Sequence, residues 1–222
     1  MKEVLIACLM MEAETKNALE VTGSQAEVIW MEKGLHNRPE ELRDALQKTI
    51  DQAERDFSPD RIFLGYGFCG NAMKGLSARS CQLILPRIDD CITMFIGSRE
   101  RKAALEGGVG IMFQTCNWAD GDKNLRDLHD KLYEDYDEDD ADELWEMMYG
   151  KYKRIGVLDT HCYDLAPVVA EARETAKALD FECLVIDASN DYIRELLTGP
   201  WSDERFIVKD PGEAITGPDL WM

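Results

Sequence analysis

Short, densely apolar runs alternate with longer amphipathic ones along most of the chain. Residues 2–8 (KEVLIAC) are apolar and partly β-branched, the pattern of a buried strand. Residues 12–19 have helical composition and stop at Thr22-Gly23-Ser24. Residues 27–31 (EVIWM) predict a second strand. Pro39 suits the first turn of a helix, and Leu42, Leu46 and Ile50 follow at helical spacing. Ser58-Pro59-Asp60 breaks that helix, and residues 61–66 (RIFLGY) and 82–85 predict two further strands, the latter ended by Pro86. Gly65, Gly67 and Gly70 surround Cys69, so the backbone there can turn tightly, and Asn71 can cap a following helix.

The middle changes character. Asp89 and Asp90 precede an apolar stretch to residue 96, a helix start favoured by the dipole. Residues 107–113 predict a strand. Residues 124–149 are polar, acidic and aromatic, with Leu125, Leu128 and Leu132 and then Leu144 and Met148 at helical spacing. We read residues 119–150 as a helical insertion or lid. The alternation then resumes: strand 154–158, helix 166–179, strand 182–187, helix 192–197 and a short strand near 206–208. Such alternation predicts a single α/β domain over 1–222, with a mostly parallel sheet and helices on both faces. In that architecture Cys8, Cys69 and the Asp159-Thr160-His161-Cys162 segment fall near the carboxyl ends of strands, where open α/β sheets bind ligands.

Composition narrows the function. With 25 Lys+Arg against 44 Asp+Glu the net charge is −19, which repels phosphate backbones and argues against nucleic acid as a partner. No apolar run approaches the roughly 18 residues of a membrane span. The opening MKEVLIACLMMEAE lacks a signal-peptide cleavage region, so seven cysteines predict reduced thiols in the cytoplasm. There is no CxxC, no GxSxG elbow and no Walker loop. Gly65, Gly67 and Gly70 match GxGxxG in spacing, but no acidic residue ends the next strand in the usual way.

A thiol near a helix N-terminus is a better nucleophile and metal ligand, which singles out Cys69 and Cys91. At Cys91 the neighbouring Asp89 and Asp90 oppose a thiolate, and a bound cation would resolve the conflict. Cys8, Cys69 and Cys91 therefore form a candidate metal set, with Gly67, Gly70 and Asn71 as candidate cofactor-binding positions. Three thiolates with an open fourth position fit zinc, which would take a small substrate there. An iron–sulfur cluster is the alternative. Asp89, Asp90 and His161 are candidates to orient ligands or move a proton. The structural alternative is a buried cysteine in a tight turn at 69, a core residue at 8, and Asp164 as an ordinary helix cap. Cys81, Cys116 and Cys183 are assigned to packing, and His129 to the surface. The run 134–146 (EDYDEDDADELWE) reads as a solvated helical face or as a docking surface for a basic partner.

Cys8, Gly34-Leu35-His36-Asn37, the 65–71 segment (GYGFCGN), 85–91 (LPRIDDC) and 197–201 (LTGPW) together resemble the family catalogued as domain of unknown function 1638. The resemblance runs nearly end to end, and its two Cys-centred motifs are specific. Gly97-Ser98-Arg99, Trp118 and the 152–154 stretch fit as well. Members occur in anaerobic bacteria and archaea, often encoded near corrinoid-dependent methyltransferases, which implies one-carbon metabolism. On that footing the expectation is a metal-binding enzyme or accessory enzyme of methyl-group metabolism. The alternative is a non-catalytic binding module that partners a corrinoid protein or methyltransferase.

Overall fold

Residues 1–119 and 125–220 are described by a computed structural model. In chain order the elements are β1 (Glu3–Cys8), α1 (Glu12–Thr22), β2 (Glu27–Met31), α2 (Pro39–Phe57), β3 (Arg61–Gly65), β4 (Gln82–Pro86) and α3 (Cys91–Ile96). Then come α4 (Arg99–Glu106), β5 (Gly110–Gln114), α5 (Cys116–Ala119), α6 (Leu125–Asp135), α7 (Glu138–Tyr149), β6 (Tyr152–Asp159) and α8 (Leu165–Ala178). The chain ends with β7 (Glu182–Asp187), α9 (Asp191–Thr198) and β8 (Phe206–Lys209). Hydrophobic spacing anticipated nearly all of these; α4 and α5 are additions. Residues 120–124 of the expected 119–150 insertion lie outside the described residues. The fold class is α/β with mostly parallel pairing, as expected.

The strands divide between two sheets, in two compact units: Met1–Ser98 with Asn190–Met222, and Arg99–Ser189. In the first, the order is β2-β1-β3-β4-β8, with β8 alone antiparallel. Val4 to Ala7 and Ile62 to Leu64 are almost completely buried, as a parallel sheet covered on both faces requires. The β1–α1–β2 crossover runs one way from β1 and β2–α2–β3 runs back. Right-handed connections therefore put α1 and α2 on opposite faces. Leu42, Leu46, Ile50 and Ala53 form the buried stripe of α2, and α9 packs on α1, β3 and β4.

The 66–81 connection departs from expectation. It contains no helix among the described residues, so Asn71 caps none. Cys69, Gly70 and Asn71 all have positive φ (44°, 68° and 70°), which turns the chain away from right-handed helix. The C-terminal tail satisfies the backbone that a helix would have satisfied internally. Gly75 N donates to Ile215 O at 2.8 Å, Ile215 N to Leu76 O at 2.9 Å, and Gly212 N to Ala78 O at 2.7 Å. A short antiparallel bridge joins Ser77 to Ala214.

The second unit has the parallel order β5-β6-β7. Its core gathers Ile155, Val157, Val168, Val169, Ala172 and Ala176, with Cys116 and Cys183 packed against it. The acidic insertion is two helices, α6 and α7. Asp137 caps α7, accepting from Asp140 N at 3.1 Å. His129 is not simply on the surface. It is half-buried, with ring centroids 4.5 Å from Tyr133 and 4.8 Å from Trp145. No helix among the described residues is long and apolar enough to cross a membrane.

Candidate functional site

In the first sheet the chain leaves β1 in one direction to reach β2 and later returns to place β3 on β1's other side. The connections diverge at the carboxyl ends of β1 and β3, the preferred ligand position in such sheets. Cys8 is the last residue of β1. Cys69 lies in the turn after β3, and Cys91 opens α3 just after neighbouring β4.

The two loops carrying Cys69 and Cys91 interlock. Phe68 N donates to Ile88 O at 2.8 Å, and Cys69 N to Asp89 O at 2.9 Å. Gly67 makes this possible. A Cβ there would lie 2.6 Å from Asp90 N and 2.7 Å from Asp90 Cα. The need for glycine at 67 thus comes from the protein's own backbone. Gly70 has positive φ, with Pro39 Cγ only 3.0 Å from where a Cβ would stand, and the Asn71 carbonyl accepts from Arg43 Nη2 at 3.1 Å. All three positions offered as cofactor-binding thus have contacts within the protein itself. Asp90 caps α3, its Oδ1 accepting from Thr93 N at 2.6 Å and Thr93 Oγ1 at 2.7 Å.

The structure brings Cys8, Cys69 and Cys91 together, close enough for each thiol to affect the ionisation of its neighbours. Burial, then the charges of Cys8 and Asp90, pushes Cys69 up to about 12. Burial pushes Cys91 up as well, followed by Cys69, Asp90 and Cys8. Both keep part of their surface open. Burial likewise raises Cys8, opposed by the Met10 amide, Tyr66 and the Lys33 ammonium. The expected activation of Cys69 by a helix N-terminus is absent, because no helix follows it; desolvation decides, and the resting site is a set of neutral thiols. Among the described residues no group of three or more His, Cys, Asp or Glu is arranged to hold a metal ion in this conformation. The thiols are neighbours without being a closed cage.

Tyr66, not singled out from the sequence, belongs to this group. It is 4% exposed, and burial raises its hydroxyl pKa, followed by the charges of Cys8 and Cys69. The hydroxyl stands beside the Cys8 thiol, and their hydrogen-bonding interaction lowers the thiol and raises the phenol. Its place inside the glycine-rich segment was the available signal; the side chain's direction was not legible. Lys33, two residues beyond β2, is a second addition.

His161 belongs to the second unit. Its φ is 58°, its Nε2 lies 3.0 Å from Asp187 Oδ1, and its Nδ1 lies 3.3 Å from Asp159 Oδ1. These carboxylates end adjacent strands β7 and β6, register partners in the parallel ladder. Asp164 caps α8, accepting from Ala166 N at 3.1 Å. Cys81 is 2% exposed and lies beside the start of β4, the opposite edge of the first sheet from the three thiols.

No curated protein and no solved structure gives a significant match to the chain. A family model described as "Protein of unknown function (DUF1638)" matches residues 30–197, a span that holds Cys69, Cys91 and His161 and leaves Cys8 outside. That match covers well over half the sequence, and the chain belongs to the DUF1638 family of proteins of unknown function.

Proposed function

We propose that Cys8, Cys69 and Cys91 form a metal centre, zinc by preference, that offers an open position to a small substrate in corrinoid-linked methyl-group metabolism. The observation carrying this reading is the gathering of three thiols from the end of β1, the turn after β3 and the start of α3. Buried neutral thiols beside Asp90 are poor nucleophiles by themselves. A cation exchanged for their protons would reverse that, and uptake would release protons and strengthen with pH. Zinc held by thiolates keeps a fourth position for a substrate thiol and acts there as a Lewis acid. Uptake has to draw the sulfurs inward, since the resting thiols form no cage. That same openness favours a second reading, an iron–sulfur cluster, which is larger than a single ion. The methyl-group assignment rests on the family resemblance together with this thiol chemistry.

The test is elemental analysis of anaerobically purified wild type, Cys69→Ser, Cys91→Ser and Cys81→Ser, with melts to confirm folding. Zinc in the wild type and in Cys81→Ser, lost from the other two while the fold persists, is expected. Iron with acid-labile sulfide in the same pattern selects the cluster. Equal metal in all four proteins rejects the centre. Activity is read as methyl transfer from methylcobalamin to an added thiolate, which forms the thioether and releases cob(I)alamin. Metal bound without such turnover leaves a binding module.

A further inference from the structure

We propose that the exposed side of α7 is a docking surface for a basic amphipathic helix of a partner protein.

Ala141 and Trp145 hold α7 in place. Ala141 is fully buried, and the Trp145 ring lies 4.8 Å from His129 and 4.7 Å from Tyr149. Leu144, Met147 and Met148 stand three and four positions apart, which makes them neighbours on one side of the helix. Leu144 is half-buried, while Met147 is 74% and Met148 51% exposed, so two large apolar side chains stand in water. Unbranched and polarisable, such methionines adapt to the ridges of an incoming helix.

Charge says what covers them. The segment Leu125–Tyr149, from α6 to α7, sets eleven Asp and Glu against Arg126 and Lys131, which is −9 of the chain's −19. In α7 itself six acidic residues stand with no Lys or Arg. Glu138, Asp139 and Asp140 suit the positive end of the helix dipole, but Glu143 and Glu146 lie towards its negative end. Asp139 and Glu143, and Asp142 and Glu146, are like charges one turn apart, an arrangement that weakens a helix. Among the described residues the one ion pair made by α7 joins Glu146 to Lys153, at 3.9 Å. A second copy of this chain, a nucleic acid or an anionic membrane would add to that repulsion. A cationic helix relieves it while its apolar stripe covers the methionines.

The experiment uses the full chain and a dye-labelled synthetic peptide in which Leu and Lys follow the helical repeat. A peptide of the same composition in scrambled order, and oligolysine, separate shape from charge. Fluorescence anisotropy at low and at physiological salt reads affinity, thermal melts confirm folding, and sedimentation reads the oligomeric state. Wild type is expected to bind the amphipathic peptide about 10-fold more tightly than the scrambled one. Met147→Gln with Met148→Gln should remove that preference. Asp140→Asn with Glu143→Gln should weaken binding about 5-fold and flatten its salt dependence. Glu40→Gln with Asp44→Asn, the same charge change at exposed positions of α2, should leave binding unaltered. Equal affinity for all three peptides overturns the inference by reducing the surface to a polyanion. A preference that survives the methionine substitutions, or an equal loss from the α2 pair, overturns it by moving the docking site off α7. A peptide-free dimer that dissociates on the methionine substitutions overturns it in favour of a second copy. No binding at low salt overturns it outright.

Discussion

Gly67→Ala asks whether the thiol site depends on two interlocked loops. Gly67 lies outside the left-handed region, so alanine meets no conformational penalty there and the whole effect is steric. The new Cβ would stand 2.6 Å from Asp90 N, against 3.4 Å for an ordinary contact. The atoms it meets are backbone and cannot rotate aside. The loops must open by roughly 0.8 Å, enough to break the Phe68–Ile88 and Cys69–Asp89 hydrogen bonds. Each is worth about 1 kcal/mol, and overpacking adds roughly 1–3 kcal/mol. A loss of about 3–5 kcal/mol is expected, a fall in melting temperature of roughly 10 °C for a chain of this length. A thiol reagent at pH 8 supplies the second readout. Wild-type Cys69, held near 12, should react slowly, and the opened site faster. Gly217→Ala is the control, because a Cβ there meets nothing within 4 Å. A Gly67→Ala protein that melts with the control and keeps its slow thiols would refute the interlock.

Two further predictions concern stability away from the site. Asp219 accepts from Lys209 Nζ at 2.8 Å and from the Thr216 amide and hydroxyl at 2.7 Å; burial opposes its charge, but these bonds win and hold it at about 2. Its folded pKa is depressed, so its contribution is complete above the unfolded value near ~4 and lost as pH falls through about 2. Discounted for solvent screening this is about 1 kcal/mol. Asp219→Asn should flatten the denaturation profile between roughly pH 4 and 2, and an unchanged profile would contradict the assignment. Ser58 ends α2 with φ 46°. Ser58→Gly should stabilise by roughly 0.5–1 kcal/mol in urea titrations, and a loss of stability would count against a left-handed cap.

The sequence by itself determined the elements and much of their chemistry. Short apolar runs marked the strands, because a parallel strand buried on both faces leaves no room for polar residues. Leu42, Leu46 and Ile50 marked the buried stripe of α2, since their spacing follows the helix repeat. Asp90 and Asp164 were legible as caps because capping is local. What depends on contacts distant in sequence was decided only by tertiary structure. The division into two sheets follows from strand pairing, which no local pattern encodes. Residues 66–81 have helix-compatible stretches, yet residues 212–215 supply their backbone partners and make a helix unnecessary. Gly67 looked like room for a cofactor; the close backbone came instead from Asp90, 23 residues on. The strand-end positions of Cys8 and Cys69 and the helix-start position of Cys91 were readable, but their ionisation was not. Desolvation depends on everything packed around a thiol, and here it outweighs any local dipole.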